Sequence, residues 1–224
     1  MEHASSTPSA CAGSPVDNRV ASADTRATAT QGSTATPRVG LVTGAGKRLG
    51  RAIALALAQD GWDIGVHCRD SVAEAEQTVE EIRAQGRRAV VLQADLDEAA
   101  QCQTLVPRLA DALGPVSGLV NSASRFEYDD IRSFTPESLH EHLLPTLMAP
   151  LLLAQSLASQ LPAAPVQGVI VNLLDQKLFN LNPDFLSYTL SKAALSAATT
   201  MLAQALAPRI RVVGVAPGLT LPSY

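Results

Sequence analysis

A chain of 224 residues suits one domain. It is 46% hydrophobic, 4% aromatic and carries a net charge of −4, which fits a helix-covered α/β core and gives no indication of a nucleic-acid partner. Its three cysteines, Cys11, Cys68 and Cys102, are scattered without metal-ligand spacing, so no metal site is expected and a reducing compartment such as the cytoplasm is implied.

Residues 1–37 are mostly Ser, Thr, Ala, Pro and Gly. Such a segment cannot bury enough surface to offset its ordering entropy, so a disordered tail is expected there. It lacks the apolar stretch of a secretory signal. Arg19, Arg26 and Arg38 faintly suggest an organelle transit peptide, but Glu2, Asp17 and Asp24 argue against one. Residues 38–224 are expected to form the domain. Val39 to Val42 is a short apolar run of the kind that makes a buried parallel strand. A glycine-rich turn follows, then Ala52 to Ala58, a strong helix former. Gly61 closes that helix, and Trp62 to His67 reads as the second strand. Ser71, a candidate N-cap, opens a helix that runs to Gln85, with Gly86 just past its end. Ala89 to Gln93 is a third strand. Glu98 to Leu113 is a helix, which Pro107 can kink or split.

Ser117 to Asn121 is the fourth strand, and a long helical zone covers Pro136 to Gln160. Pro145, Pro150 and Pro162 are expected to break the longest apolar run, leaving none of membrane-spanning length. Gly168 to Leu173, Leu186 to Ala207 and Ile210 to Val215 read as strand, helix and strand. Strands alternating with helices imply a single, doubly wound, Rossmann-type α/β domain: a parallel sheet with helices on both faces. Sites then lie at the carboxyl ends of the strands.

The first of those ends carries Gly44-Ala45-Gly46-Lys47-Arg48-Leu49-Gly50. Strand, glycine turn and helix open a dinucleotide-binding unit: glycine admits a pyrophosphate close to the backbone, and the helix's first N–H groups face the anion. A tight strand–helix turn without a ligand would read the same way. A P-loop does not fit. Gly40 and Gly46 are separated by five residues rather than four, and Arg48 stands where Ser or Thr must bind magnesium. Tyr188 and Lys192 lie four apart and share one helix face. An ammonium beside a phenol favours phenolate and lowers its pKa toward the range useful to an acid or base. A solvated helix face is the plainer reading of the same spacing.

Taken in order, Thr43-Gly44-x-x-x-Arg48-x-Gly50, Asp95-Leu96, Asn121-Ser122-Ala123-Ser124, Tyr188-x-x-x-Lys192 and Pro217-Gly218 resemble the short-chain dehydrogenase/reductase family over residues 38–220. Arg48 replaces the middle glycine of that family's loop. Within it, the chain is most similar to the pteridine and dihydromonapterin reductases. The loop Thr-Gly-Ala-Gly-Lys-Arg-Leu-Gly, the run Asn121 to Phe126, and Asp175, thirteen residues before Tyr188, carry that likeness.

The resemblance implies NADPH as cofactor. It places Gly44, Lys47, Arg48, Leu49, Arg69, Ser71, Asp95, Leu96, Asn121, Ala123, Tyr188, Lys192, Pro217 and Gly218 around it. Asp175, Tyr188 and Lys192 become catalytic, and Arg48, Phe126, Asp175 and Tyr188 meet the substrate. Phe126 as a core plug, Asp175 as a turn cap and Arg48 as a surface charge remain the bland alternatives. The cofactor choice also has a physical argument. An acidic side chain after the second strand would repel a 2′-phosphate. Cys68 stands there instead, with Arg69, Ser71 and Lys47 as partners and Asp70 as the opposing feature.

The expected activity is NADPH-dependent reduction of a pterin or similar C=N or C=O compound. The expected partners are a small molecule and, through the long helices, further copies of the chain. An ordinary ketone reductase and a non-catalytic NADPH-binding protein are the alternatives. Two departures from the family favour the last. Thr146, beside Pro145, stands where the family often has an Asn that holds a relay water. Gly218 is followed by only six residues, so a substrate lid and last strand are expected to be missing, leaving an aggregation-prone edge.

Overall fold

The structure, a computed structural model, describes residues 38–161 and 167–218. The tail expected over residues 1–37, Pro162 and the last six residues lie outside the described residues.

Six strands, β1 (Arg38–Val42), β2 (Trp62–Cys68), β3 (Ala89–Gln93), β4 (Val116–Asn121), β5 (Gly168–Leu173) and β6 (Ile210–Val215), form one sheet in the order β3-β2-β1-β4-β5-β6. Every pairing is parallel. The strands are nearly continuous in apolar residues because helices cover both faces. On one face α3 (Ala99–Leu113) and α5 (Ala149–Gln160) bury Leu105, Leu109, Leu153 and Leu157 against Leu41, Leu119 and Ile170. Leu202 and Leu206 of α6 (Leu186–Leu206) add to this core. On the other face α1 (Arg48–Gln59) and α2 (Val72–Ala84) bring Ala54, Ala58, Ala75, Val79 and Ile82 onto Val42, Ile64 and Val66. Strand order reverses between β1 and β4, and a crevice opens there at the carboxyl ends.

Three local expectations are corrected. Pro107 neither splits nor ends α3, whose Cys102, Leu105, Val106 and Leu109 are fully buried around it; that packing outweighs one missing helical hydrogen bond. Ser71 occupies the N-cap position of α2 but makes no side-chain cap. Pro145 and Pro150 do not break the long helical zone. From α4 (Pro136–Leu143) the chain passes through a π-helical turn, Leu144–Met148, directly into α5. The wider turn accommodates a residue that has no N–H to donate and whose ring crowds the preceding turn. Pro136–Gln160 is therefore one 25-residue helical stretch containing an 18-residue window of mean hydropathy 1.2, by length and composition alone enough to cross a membrane, contrary to expectation. It is apolar because Ala149, Leu153, Ala154 and Leu157 face the core.

One imidazole holds the crevice floor together. His67, near the end of β2, is 2% exposed. Its Nδ1 accepts the Gly44 N–H at 3.1 Å, so its Nε2 carries the proton and donates to the Ala94 carbonyl at 3.1 Å. The ring thus ties the turn after β1 to the end of β3. Burial pushes its pKa down to about 4; the Ala94 contact and Asp95 oppose this and Arg108 assists. The unfolded chain therefore takes up a proton near pH 6.5 that the folded chain refuses until about pH 4. Stability is complete above pH 6.5 and declines as pH falls through that window, by about 3 kcal/mol for this group. Melting temperatures from pH 7 to 4 should fall more steeply for the wild type than for His67→Gln; parallel curves would remove His67 as the cause.

Candidate active site

The turn after β1 is shaped by close approach. A Cβ on Gly50 would lie 2.2 Å from the Gly44 carbonyl oxygen, so only glycine fits. Gly44 has φ 64°. Arg48, in place of the loop's middle glycine, has φ 51°. The position requires a left-handed backbone, and arginine adopts it at a cost of about 1–2 kcal/mol. The Thr43 hydroxyl accepts the N–H groups of Ser122 and Ala123 at 2.9 and 3.0 Å, fastening this turn to the end of β4.

Two adjoining cavities of about 560 and 710 Å³ share Gly44, Lys47, Ala123, Ser124 and Phe126 and form one groove along the strand ends. Arg69, Ser71, Asp95 and Leu96 line the first. Arg48, Leu49, Asp175, Tyr188, Lys192, Pro217 and Gly218 line the second. The structure thus brings together every expected site residue except Asn121. That side chain is 4% exposed and turns inward, donating to Asn172 Oδ1 at 2.7 Å. Asn172 donates in turn to Thr199.

The basic residues of the first cavity are paired. Lys47 Nζ lies 2.7 Å from Glu74, and Arg69 Nε donates to Asp70 at 2.8 Å. Both pairs are solvent-exposed, so each contributes little and can yield to a stronger anion. Cys68 is buried and presents no charge.

In the second cavity the Tyr188 hydroxyl donates to Asp175 Oδ2 at 2.6 Å. Asp175 Oδ1 accepts the Lys177 N–H at 2.7 Å, so this carboxylate also caps the short 3₁₀ turn Gln176–Phe179. Lys192, 3% exposed, donates to the Leu173 carbonyl at 2.6 Å, and its Nζ lies 5.8 Å from the Tyr188 ring centre. The expectation that the ammonium lowers the phenol's pKa is overturned. Burial and then the hydrogen bond to Asp175 raise it well above the ordinary value, because a phenolate beside a carboxylate would place two negative charges together. Burial pushes Lys192 down to about 8, with Asp175 opposing. Tyr188 is a neutral phenol that donates its proton in a hydrogen bond to a carboxylate.

Phe126 does not plug the core: it is 54% exposed. Its ring stacks on Phe185, with centres 4.4 Å apart, and meets Tyr188 edge-on at 4.8 Å. Tyr128 packs edge-on against Phe185 at 5.2 Å. Phe185 precedes α6 with a left-handed backbone, φ 56°. The Thr146 hydroxyl, in the π turn, is buried without a partner among the described residues, a position suited to a bound water. Phe185, Tyr128 and His67 escape a reading by motif. They are ordinary strand or loop residues in the sequence, and only the fold places them at the groove.

The short chain dehydrogenase family profile matches residues 38–223. An uncharacterised oxidoreductase of Methylorubrum extorquens is 36% identical over 182 residues, 81% of this chain and 72% of that protein. The crystal structure of FolM alternative dihydrofolate reductase 1 from Brucella suis in complex with NADP superposes with a TM-score of 0.79 at 43% identity, covering 83% of this chain and 76% of that one. The promiscuous reductase LugOII, which catalyses a keto-reduction in lugdunomycin biosynthesis, superposes with a TM-score of 0.76 at 32% identity, over 82% and 75% of the two chains. The chain belongs to the short-chain dehydrogenase family.

Proposed function

We propose that this chain is an NADPH-dependent reductase of a pterin or closely similar C=N or C=O compound. The observation that carries the reading is the Tyr188–Asp175 hydrogen bond beside the exposed Phe126 ring in one groove. The groove fits the cofactor. The glycine turn leaves room for a pyrophosphate against Gly44, Arg48 and Leu49. Lys47, Arg69 and Ser71 line the part suited to a 2′-phosphate, and Asp95 and Leu96 the part suited to adenine. Ala123, Pro217 and Gly218 border the nicotinamide end, with Lys192 available to a ribose hydroxyl. Asn121 acts from below, through the buried bond to Asn172.

The bound cofactor supplies a hydride. The chain's own residues supply the proton and the geometry. The Tyr188 hydroxyl and the Asp175 carboxylate it bonds to act as a proton-donating pair: Tyr188 delivers the proton to the substrate, and Asp175 orients it. Lys192 keeps the pair close to positive charge, and Phe126 offers a flat apolar face to a planar ring. The similarity to a dihydrofolate reductase supports a pterin. One observation favours a ketone instead: Phe185 covers Phe126 at 4.4 Å, too close to admit a flat ring between them. A pterin would have to use the other face of Phe126 or displace Phe185. Met148, Leu190 and Met201 are apolar and exposed, which supports association of copies through the long helices.

NADPH is expected to bind roughly tenfold or more tightly than NADH, a difference of about 1.4 kcal/mol. Arg69→Ala should remove most of that preference, and Glu74→Gln, which releases Lys47 from its carboxylate, should increase it. Titrating both cofactors into each protein measures this; equal affinities in the wild type would contradict the assignment of Arg69, Ser71 and Lys47.

Tyr188→Phe is expected to retain NADPH binding and to lower kcat roughly a hundredfold or more, because positioned acid catalysis contributes about 10²–10⁴. Single-turnover and steady-state rates of NADPH oxidation measure it. A near-normal rate would transfer the proton-donor role to Asp175 or to water.

A further inference from the structure

The first turn of α6 carries Tyr188, yet its own N-cap residue, Phe185, makes no side-chain cap and has a left-handed backbone. The cap comes from far away in the chain. Asp129, in the loop between β4 and α4, is 4% exposed. Its Oδ1 accepts the Ser187 N–H at 2.9 Å and its Oδ2 accepts the Ser187 hydroxyl. Its backbone carbonyl accepts the Leu186 N–H at 3.1 Å. One residue therefore takes up two backbone donors of the helix start, groups that are orphaned unless something outside the helix accepts them. A carboxylate at that end also suits the helix dipole.

Asp129 is anchored on its other side. The Ser138 hydroxyl of α4 donates to Oδ2 at 2.8 Å. His142, also on α4, donates from Nδ1 to the Ser138 carbonyl at 2.7 Å, and its Nε2 faces the Glu127 N–H at 3.4 Å. Burial alone would raise the Asp129 pKa, but the bonds from Ser187 and Ser138 hold it below the usual carboxylate value. The loop that presents Phe126 and Tyr128 is thus fastened to the helix that presents Phe185 and Tyr188. The contacts of Phe126 with Phe185 and Tyr188 span that junction.

We infer that Asp129 is a positioning residue, which clamps the Phe126 loop to the first turn of α6 and thereby sets where the Tyr188 hydroxyl stands against Asp175 and the substrate. This rests on the reading of Tyr188 as part of the proton-donating pair. Asp129 does not touch the groove itself; neither cavity is lined by it. Its effect on turnover must therefore pass through Tyr188.

Two measurements test this. Amide hydrogen exchange should show Leu186 and Ser187 exchanging roughly tenfold faster or more in Asp129→Ala, with amides of β1 and β4 unchanged. Unchanged protection at Leu186 and Ser187 would overturn the clamp. The second is a double-mutant cycle in kcat. Asp129→Ala is expected to lower kcat roughly tenfold in the wild type, and less than about twofold when Tyr188 is already Phe. An equal loss in both backgrounds would mean a general structural effect and overturn the positioning role. Asp129→Asn, which keeps the volume and one acceptor, carries the same cycle and the same exchange measurement if Asp129→Ala fails to fold. If Tyr188→Phe alone proves near-normal, the proton-donor reading fails; the exchange measurement then decides the clamp by itself.

Discussion

The site depends on the approach of two backbone segments at the end of β1. Gly50 sits so close to the Gly44 carbonyl that no side chain can stand between them. That contact lets α1 begin after a turn of only five residues, Thr43 to Lys47, with its first N–H groups turned toward the groove. Thr43 ties the turn to β4, and His67 ties it to β2 and β3. The reversal of strand order between β1 and β4 makes the crevice, and these bonds give it a fixed floor. A floor bonded to three neighbouring strands is pre-organised for a ligand and loses little freedom when one binds.

The protonation of Tyr188, at the other end of the groove, is set by burial together with its neighbours Asp175 and Lys192. The Lys192 ammonium is held by the Leu173 carbonyl and lies 5.8 Å from the Tyr188 ring centre. Asp175 is closer to the phenol and is hydrogen-bonded to it directly. Burial first, and then that bond, favour the protonated phenol. A protonated phenol suits reduction, where the substrate must gain a proton along with a hydride. Thr146 and the Asn121–Asn172–Thr199 chain are buried polar groups of the same domain.

Much of this was legible in the sequence, for identifiable reasons. β3, β5 and β6 begin and end where their apolar runs meet turn residues, and alternation with helices fixed a parallel sheet. Gly44 and Gly50 were legible as a tight strand–helix turn because glycine there answers a steric demand. The prolines misled because a π turn can absorb Pro145, and no residue pattern announces such a turn. The phenol's ionisation misled because spacing along a helix reveals Lys192 beside Tyr188, whereas the Asp175 contact crosses from another segment. Asp129 and Phe185 were invisible for the same reason. A helix opening at Leu186 demands a cap, but local sequence does not say that a residue near position 129 provides it.

The central claim is that one groove combines an NADPH site with a proton-donating pair beside an aromatic face suited to a planar heterocycle. The most direct measurement is the loss of NADPH absorbance with purified protein, comparing a dihydropterin against a simple ketone at matched concentrations. The account predicts substrate-dependent oxidation with the dihydropterin and a markedly lower kcat/KM with the ketone. Faster reduction of the ketone, or no oxidation with either, would contradict it.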